Sequence, residues 1–308
     1  MLLSGIHHSN KWMPAENVGM TGQRRRGHMK NPRELSVWSK IGAYLVLTAF
    51  TAFAIFPILS LISISLRPGD RLLTKSLSII PPDATLQTYY QLFFHEPFLR
   101  WMGNSLIVSG AVTLVGVGLA ATAGYAFSRY KFFGKNMAML ALLATQMFPL
   151  TMLLLPLFIM LIKLKLYDTY WALIIAYSAT ALPFTTWQMK GYYDTIPYEL
   201  EEAANIDGCA QFKTFWTIVL PLAAPALVIT ALFSFMTAWS EYLVAAALIQ
   251  DQSRFTLPLG LKMFQSSLEV KWGLYSAGAL VVSLPVVILF IFLSRWLVSG
   301  LTLGSVKG

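Results

Sequence analysis

Few residues in this 308-residue chain could do chemistry by themselves. His95-Glu96 opens like H-E-x-x-H, the helical pattern in which two imidazoles hold zinc and the glutamate serves as base. Its fifth position is Leu99, however, and Pro97 opposes that helix. Gly134-Lys135 lacks the earlier glycine and the following hydroxyl of a phosphate-cradling loop, and no G-x-S-x-G nucleophile elbow occurs. His7, His8, His28 and His95 all lie outside the long apolar runs. The single cysteine, Cys209, excludes an intrachain disulfide and any multi-cysteine metal site, and reads as a small apolar filler. The chain is therefore expected to hold no catalytic site, no metal and no cofactor of its own. Two acidic features remain. Glu241, in TAWSEYLV, is the only acidic residue well inside an apolar run, and PYELEEAANIDGCAQF, residues 197–212, sets Glu199, Glu201, Glu202 and Asp207 between two such runs.

The elements that must position these residues are membrane helices. The chain is 56% hydrophobic and only 12% charged, with a mean hydropathy of +0.61. Several runs approach the ~20 residues that cross a ~30 Å hydrocarbon core. The expected fold is an all-α membrane protein with six transmembrane helices. They run over about Ile41 to Leu66, Asn104 to Phe127, Met137 to Ile162, Tyr170 to Met189, Leu222 to Ile249 and Leu274 to Val298. Arg and Lys favour the N-terminal segment, residues 129–136, the 190–221 loop and the C-terminus over the intervening loops, which predicts N-in/C-in. The same bias accounts for the net charge of +9 without nucleic acid, since no basic stripe interleaved with aromatics occurs. Residues 1–40 read as a basic, flexible cytoplasmic tail with Met20 and Met29 as alternative starts. Its Arg24-Arg25-Arg26 is not a twin-arginine export signal, because the apolar run behind it is too long and has no cleavage site. Residues 41–308 read as the membrane domain, with a loop over 190–221 and a tail over 299–308.

Inside the spans, Gly116, Ala120, Gly124 and Ser128 recur every four residues and predict close helix packing on one face of the second span. Gln146, Pro149, Pro156, Pro183, Gln188 and Pro225 put prolines or amides at membrane depth. Backbone groups freed there need a partner, so these positions face protein or a wet cavity. Pro149 and Pro183 are expected to kink helices around a pathway. Glu241 lines that pathway, makes a buried structural contact or lies near the membrane edge.

The acidic stretch reads as two short helices around a glycine. Pro197 suits a first helical turn. Glu199, Glu201 and Glu202 favour the positive end of a helix dipole. Gly208 stops the helix. At about 10 residues it is ~15 Å long, too short to span a bilayer. Ala203 and Ala204 provide a face with almost no side chain. Beyond Gly208, Phe212, Phe215, Trp216 and Val219 form one apolar stripe at helical spacing. A helix resting on lipid would set three glutamates against an anionic leaflet, so docking in a groove of another protein is the better reading.

Glu202-Ala203-Ala204, Gly208, Ile218 and Leu220-Pro221 stand in the pattern E-A-A-x3-G-x9-I-x-L-P. This resembles the cytoplasmic signature of permease subunits in bacterial binding-protein-dependent ABC importers. The ending WLVSGLTLGSVKG resembles the G-L-T-x-G-x-V-K-G of the MalG-like sugar permeases. WSEY, with Trp239, Ser240 and Glu241, is similar to their W-N-E-[FY], with Ser240 in place of asparagine, and YAFSRYKFFGK also fits. The resemblance covers about residue 41 to the end.

The resemblance implies that Pro197 to Ile206 is a coupling helix seated in a cleft of an ATPase. Glu199, Glu201, Glu202, Ala203, Ala204, Asp207, Gly208, Phe212, Leu220 and Pro221 would then be its contact and framework residues. Gly304, Val306, Lys307 and Gly308 would form a second ATPase contact. Gln146, Pro149, Pro183, Trp239, Ser240 and Glu241 are candidates for the solute pathway. ATP and Mg would be bound by the homodimeric ATPase partner. The other implied partners are a MalF-like second permease and an extracytoplasmic solute-binding protein, all in or on the bilayer of the bacterial cytoplasmic membrane. The implied activity is import of a sugar, such as maltose or a maltodextrin, by alternating access. One alternative is an importer of another solute, such as a phosphorylated polyol. The other is a secondary transporter, which would need paired ionisable groups at mid-membrane and repeated halves.

Overall fold

The computed structural model describes residues 36–70, 72, 80–265 and 270–303. The C-terminal residues Gly304, Val306, Lys307 and Gly308 fall outside these. The chain divides into two units, Met1–Phe53 and Ala54–Gly308. Regular structure among the described residues is helical, apart from one antiparallel bridge between Gln265 and Val270. In chain order the helices are α1 (Val37–Ser65), α2 (Gln87–Phe94), α3 (Phe98–Arg129), α4 (Lys135–Thr145), α5 (Leu150–Lys163) and α6 (Tyr170–Tyr193). They continue with α7 (Glu199–Ile206), α8 (Gln211–Thr214), a π-helical turn (Phe215–Val219), α9 (Leu220–Leu222) and α10 (Ala224–Trp239). The last are α11 (Leu243–Leu248), α12 (Leu257–Lys262) and α13 (Trp272–Leu303).

Among the described residues, fewer than six helices are long and apolar enough to count as spans. Three helices among them meet both criteria: α1, α3 and the Trp272–Trp296 part of α13. Two bent pairs raise the number to five if each pair is one span. The expected third span breaks into α4 and α5, which meet at 103°. The cause is Pro149, which lacks an N–H and disfavours helical geometry at Phe148. Pro149 itself is extended, with ψ 133°. The expected fifth span breaks at both ends. Gln211–Leu222 meets α10 at 78° around Ala223, and residues 240–242 separate α10 from α11. The fourth, α6, has 24 residues, enough for about 36 Å. Its Ser178, Thr180, Thr185, Thr186 and Gln188 dilute its hydropathy, and it is not among the spans counted by length and composition.

Within Ala54–Gly308, α3, α6 and α10 form the nucleus, and the small residues of α3 set its spacing. Gly116, Ala120 and Gly124 are buried. A Cβ on Gly116 would sit 2.8 Å from Ser234 Oγ of α10, and one on Gly124 would sit 2.7 Å from Met189 Cβ of α6. The expected packing face is thus shared between two neighbours. One core lies around Leu92, Phe98, Trp101, Tyr177, Leu248 and Leu274. A second lies around Tyr125, Met189, Tyr193, Phe215 and Val219, beneath the 190–221 loop.

Side-chain hydrogen bonds secure the opposite end of α3. Asn104 Nδ2 donates to Ser253 O and Phe255 O, and Asn104 Oδ1 accepts from the Tyr170 hydroxyl. In the turn before α6, the Asp168 carboxylate accepts from the backbone N–H groups of Gln250 and Asp251 and pairs with Arg254 at 2.9 Å. These contacts give the loop after α11 a fixed seat.

Candidate functional site

The acidic stretch forms α7. The helix is assigned from Glu199, with Tyr198 already in helical geometry as its cap and Pro197 one residue ahead of that. The stop falls where the glycine predicted it. Gly208 has φ +82°, Cys209 N donates to Ala204 O at 2.9 Å, and Gly208 N donates to Asn205 O at 3.0 Å. This pair of crossed bonds is a Schellman closure, and its left-handed position favours glycine.

The two adjacent glutamates part company. Glu202 is exposed, whereas Glu201 is 4% exposed and turned into the protein. Glu201 Oε2 accepts from the Tyr125 hydroxyl at 2.7 Å, and Oε1 accepts from Arg129 Nε at 2.5 Å. Arg129 Nη2 donates onward to Ile196 O at 2.8 Å, and the guanidinium lies 5.8 Å from the centre of the Tyr198 ring. Both ions of this pair are nearly buried and share their remaining hydrogen bonds with protein. Removing one partner of such a pair costs about 3–5 kcal/mol, because the other is left charged and unpaired. Nearby, Ser128 donates to Asp194 at 2.7 Å and Lys190 pairs with the same carboxylate at 2.6 Å. Burial acts to raise the Asp194 carboxyl, but the Lys190 and Ser128 bonds, with the charges of Lys190 and Lys135, hold it below the ordinary carboxylate range. The end of α3 is thereby joined to both α6 and α7.

The Phe212–Val219 stripe divides in the same way. Phe215 and Val219 are buried, with the Phe215 ring 4.7 Å from that of Tyr125, while Phe212 and Trp216 are exposed. The π turn at Phe215–Val219 is the reason, since it shifts the register midway through the stripe. Ala204 packs inward, and Ala203 is exposed. The outward surface therefore presents Glu199, Glu202 and Asp207 around Ala203, with Ile206 at 86% exposure and Phe212 at 76%. Leu220 is half-buried and Pro221 exposed at the start of α9. An apolar surface ringed by carboxylates suits a groove with basic edges.

The candidate pathway residues form two groups, one where the α4–α5 break meets α6 and one at the α10–α11 break. Gln146, at the α4–α5 break, donates from Nε2 to Thr180 O at 3.1 Å, three residues before Pro183. Pro183 is buried within α6, where it removes the bond that would end on Ala179. Trp239, Ser240 and Glu241 form the α10–α11 break. Trp239 Nε1 donates to Val282 O, and Ser240 Oγ donates back to Met236 O. Glu241 accepts from the Val244 N–H at 3.1 and 3.0 Å and from the Ala245 N–H at 3.4 Å, capping α11. It is also within electrostatic reach of the buried Tyr177 hydroxyl, one turn from Thr180. Beside this break lies a cavity of about 450 Å³ lined by Trp239, Ser240, Tyr242, Lys262, Gln265 and Tyr275, among others.

The cap makes a prediction. Glu241→Ala loses the acceptor for two N–H groups and should cost about 1 kcal/mol, seen as a lower unfolding midpoint of the detergent-purified protein. Glu241→Gln, which keeps a carbonyl acceptor, should lose less. An unchanged midpoint for Glu241→Ala would contradict the capping role.

Tyr125 and Arg129 were not legible as site residues. Both stand in YAFSRYKFFGK, which fits the family pattern but names no role for either, and the partner of Arg129 is 72 residues away. Its place in the last turn of a long apolar helix was the available signal. Among the described residues, no group of three or more His, Cys, Asp or Glu side chains is placed to hold a metal ion.

Comparison with known proteins shows the family and the fold. Residues 114–302 match the family model described as the inner membrane component of binding-protein-dependent transport systems. The chain is 36% identical over 272 residues to the maltodextrin transport system permease protein MdxG of Bacillus subtilis, covering 88% of this chain and 97% of that one. It is 35% identical over 264 residues to the arabinooligosaccharides transport system permease protein AraQ of Halalkalibacterium halodurans, covering 84% and 94%. A bacterial ABC transporter involved in import of the acidic polysaccharide alginate has the same fold. It aligns with a TM-score of 0.73 at 20% identity, over 85% of this chain and 98% of that one.

Proposed function

The chain belongs to the family of binding-protein-dependent transport system inner membrane components, and on that premise we propose that it is the permease subunit of an ATP-driven sugar importer. The observation that carries this reading is α7: a short helix with an exposed, acid-rimmed apolar face, rooted in the helix nucleus through Glu201. A face of this kind takes up force from a partner, and its root passes that force to the spans. The sugar class rests on the relatives, whose printed names include maltodextrin and arabinooligosaccharide permeases.

In this reading the chain crosses the membrane six times, N-in/C-in, with each bent pair counted as one crossing and α6 as the sixth. α7 docks on a homodimeric ATPase that binds ATP and Mg. Glu199, Glu202, Ala203 and Asp207 line the contact, Gly208 sets its angle, and Gly304 to Gly308 add to it. A MalF-like permease completes the pore, and a solute-binding protein meets the outer loops seated by Asp168 and Asn104. Gln146, Pro149 and Pro183 keep one break beside α6, and Trp239, Ser240 and Glu241 keep the other. Broken helices of this kind permit rearrangement of polar backbone where it lines a cavity.

Reconstitution of the full complex in proteoliposomes tests the function. Uptake across a panel of neutral oligosaccharides, polyols and sugar phosphates is expected to require both ATP and the binding protein, and to favour a neutral oligosaccharide. Preference for a phosphorylated polyol would support the alternative importer, and uptake driven by an ion gradient without ATPase would contradict the reading.

A further inference from the structure

The Arg129–Glu201 pair has features that loop packing alone does not require. It lies at the only side-chain ionic bond between α7 and a long helix among the described residues. It is nearly solvent-free, and each ion has a second partner: Tyr125 for Glu201, and Ile196 O for Arg129. Tyr125 lies one turn before Arg129 on α3, so the carboxylate grips two successive turns of one helix. Ile196 belongs to the segment that leads from α6 into α7, so the guanidinium also grips the entry to the loop. On its other side α7 continues through Gly208 into α8, the π turn and α10. A displacement of α7 therefore reaches α10 through the chain itself, whereas it reaches α3 through side chains.

We propose that Glu201 and Arg129, with Tyr125, are positioning residues that form the joint by which movement of α7 is passed to α3. The proposal rests on the reading of α7 as the docking helix. It assigns Glu201 to transmission within this chain and leaves Glu202 on the outward face. Close-packed, fully partnered contacts yield little, so a displacement on one side of the pair is carried to the other. The space directly against Arg129 and Glu201 is a cavity of only about 60 Å³, while a larger one of about 340 Å³ opens on the other side of Tyr125, toward Phe212 and Trp216.

Single substitutions that strand a buried charge can simply prevent folding, so the decisive variant removes both charges together. In Glu201→Gln/Arg129→Met, the glutamine still accepts from Tyr125 and the methionine fills the space of the guanidinium stem. Exchange of a buried ion pair for neutral groups is commonly neutral for stability. The variant complex is expected to assemble and to hydrolyse ATP in response to the binding protein, while sugar imported per ATP falls about tenfold. Arg129→Lys, which keeps the charge but not the fork to Ile196 O, should fall between the variant and the wild type. Wild-type uptake per ATP in the double variant would overturn the proposal. So would failure of the double variant to assemble, since the pair would then serve the fold alone. Failure of the transport reading is distinguishable, because the unmodified complex would then show no ATP-dependent uptake.

Discussion

Valine in place of Gly124 is expected to abolish recovery of the folded chain. The glycine lies on the α3 face against α6, and an added Cβ would sit 2.7 Å from Met189 Cβ, 2.9 Å from Lys190 N and 3.2 Å from Met189 C. Two of these three atoms are backbone, so no rotamer change can relieve the contact. Overpacking usually costs about 1–3 kcal/mol when side chains can yield, and this site requires the helices to separate. Separation would also pull Ser128 from Asp194 and disturb the core around Tyr125 and Tyr193. Gly118 provides the control, because it lies in the same helix with nothing within 4 Å of its added Cβ. Gly118→Val should yield normal amounts of monodisperse protein on size exclusion in detergent, and Gly124→Val close to none. Gly116→Val should be intermediate, since the group it meets is the Ser234 hydroxymethyl. Equal recovery of the Gly124 and Gly118 variants would contradict the described α3–α6 interface.

Much of this arrangement can be read from residue types and spacing. The small-residue face of α3 needs only the four-residue recurrence of Gly116, Ala120 and Gly124, and the end of α7 needs only Gly208. The helices α1, α3 and α13 stand out by length and apolar content. The breaks are less legible. Pro149 signals a disturbance, but a proline is compatible with anything from a shallow kink to the 103° turn found here, and hydropathy averages across both. The α10–α11 break has neither proline nor glycine. It is stabilised by Glu241 binding the N–H groups that follow it, which a window over composition does not register. Glu201 and Glu202 look alike in sequence. Successive helical residues point about 100° apart, but the direction that faces the protein is decided by Arg129 and Tyr125, which lie on a helix far away in the chain. The register shift that buries Phe215 and exposes Phe212 and Trp216 has the same character, since it depends on a π turn with no local residue signal.

Gly208→Val tests the proposed entry of ATP-driven force into this chain at α7. Gly208 adopts φ +82°, and nothing lies within 4 Å of an added Cβ. The substitution therefore meets no steric wall, and its effect is on the backbone alone. A β-branched residue is strongly disfavoured at positive φ, at a cost of about 1–3 kcal/mol. That cost is relieved by rotating α7 away from α8, which redirects Glu202, Ala203 and Asp207 while leaving the spans intact. Asparagine enters the left-handed region far more readily, so Gly208→Asn should behave almost as the glycine does. The measurement is the number of sugars imported per ATP hydrolysed by the reconstituted complex, taken for the unmodified chain and for the asparagine and valine variants. A nearly unchanged ratio is expected for asparagine and, for valine, a ratio reduced about tenfold with ATP hydrolysis continuing. A valine variant that assembles and imports at the unmodified ratio would contradict the proposal.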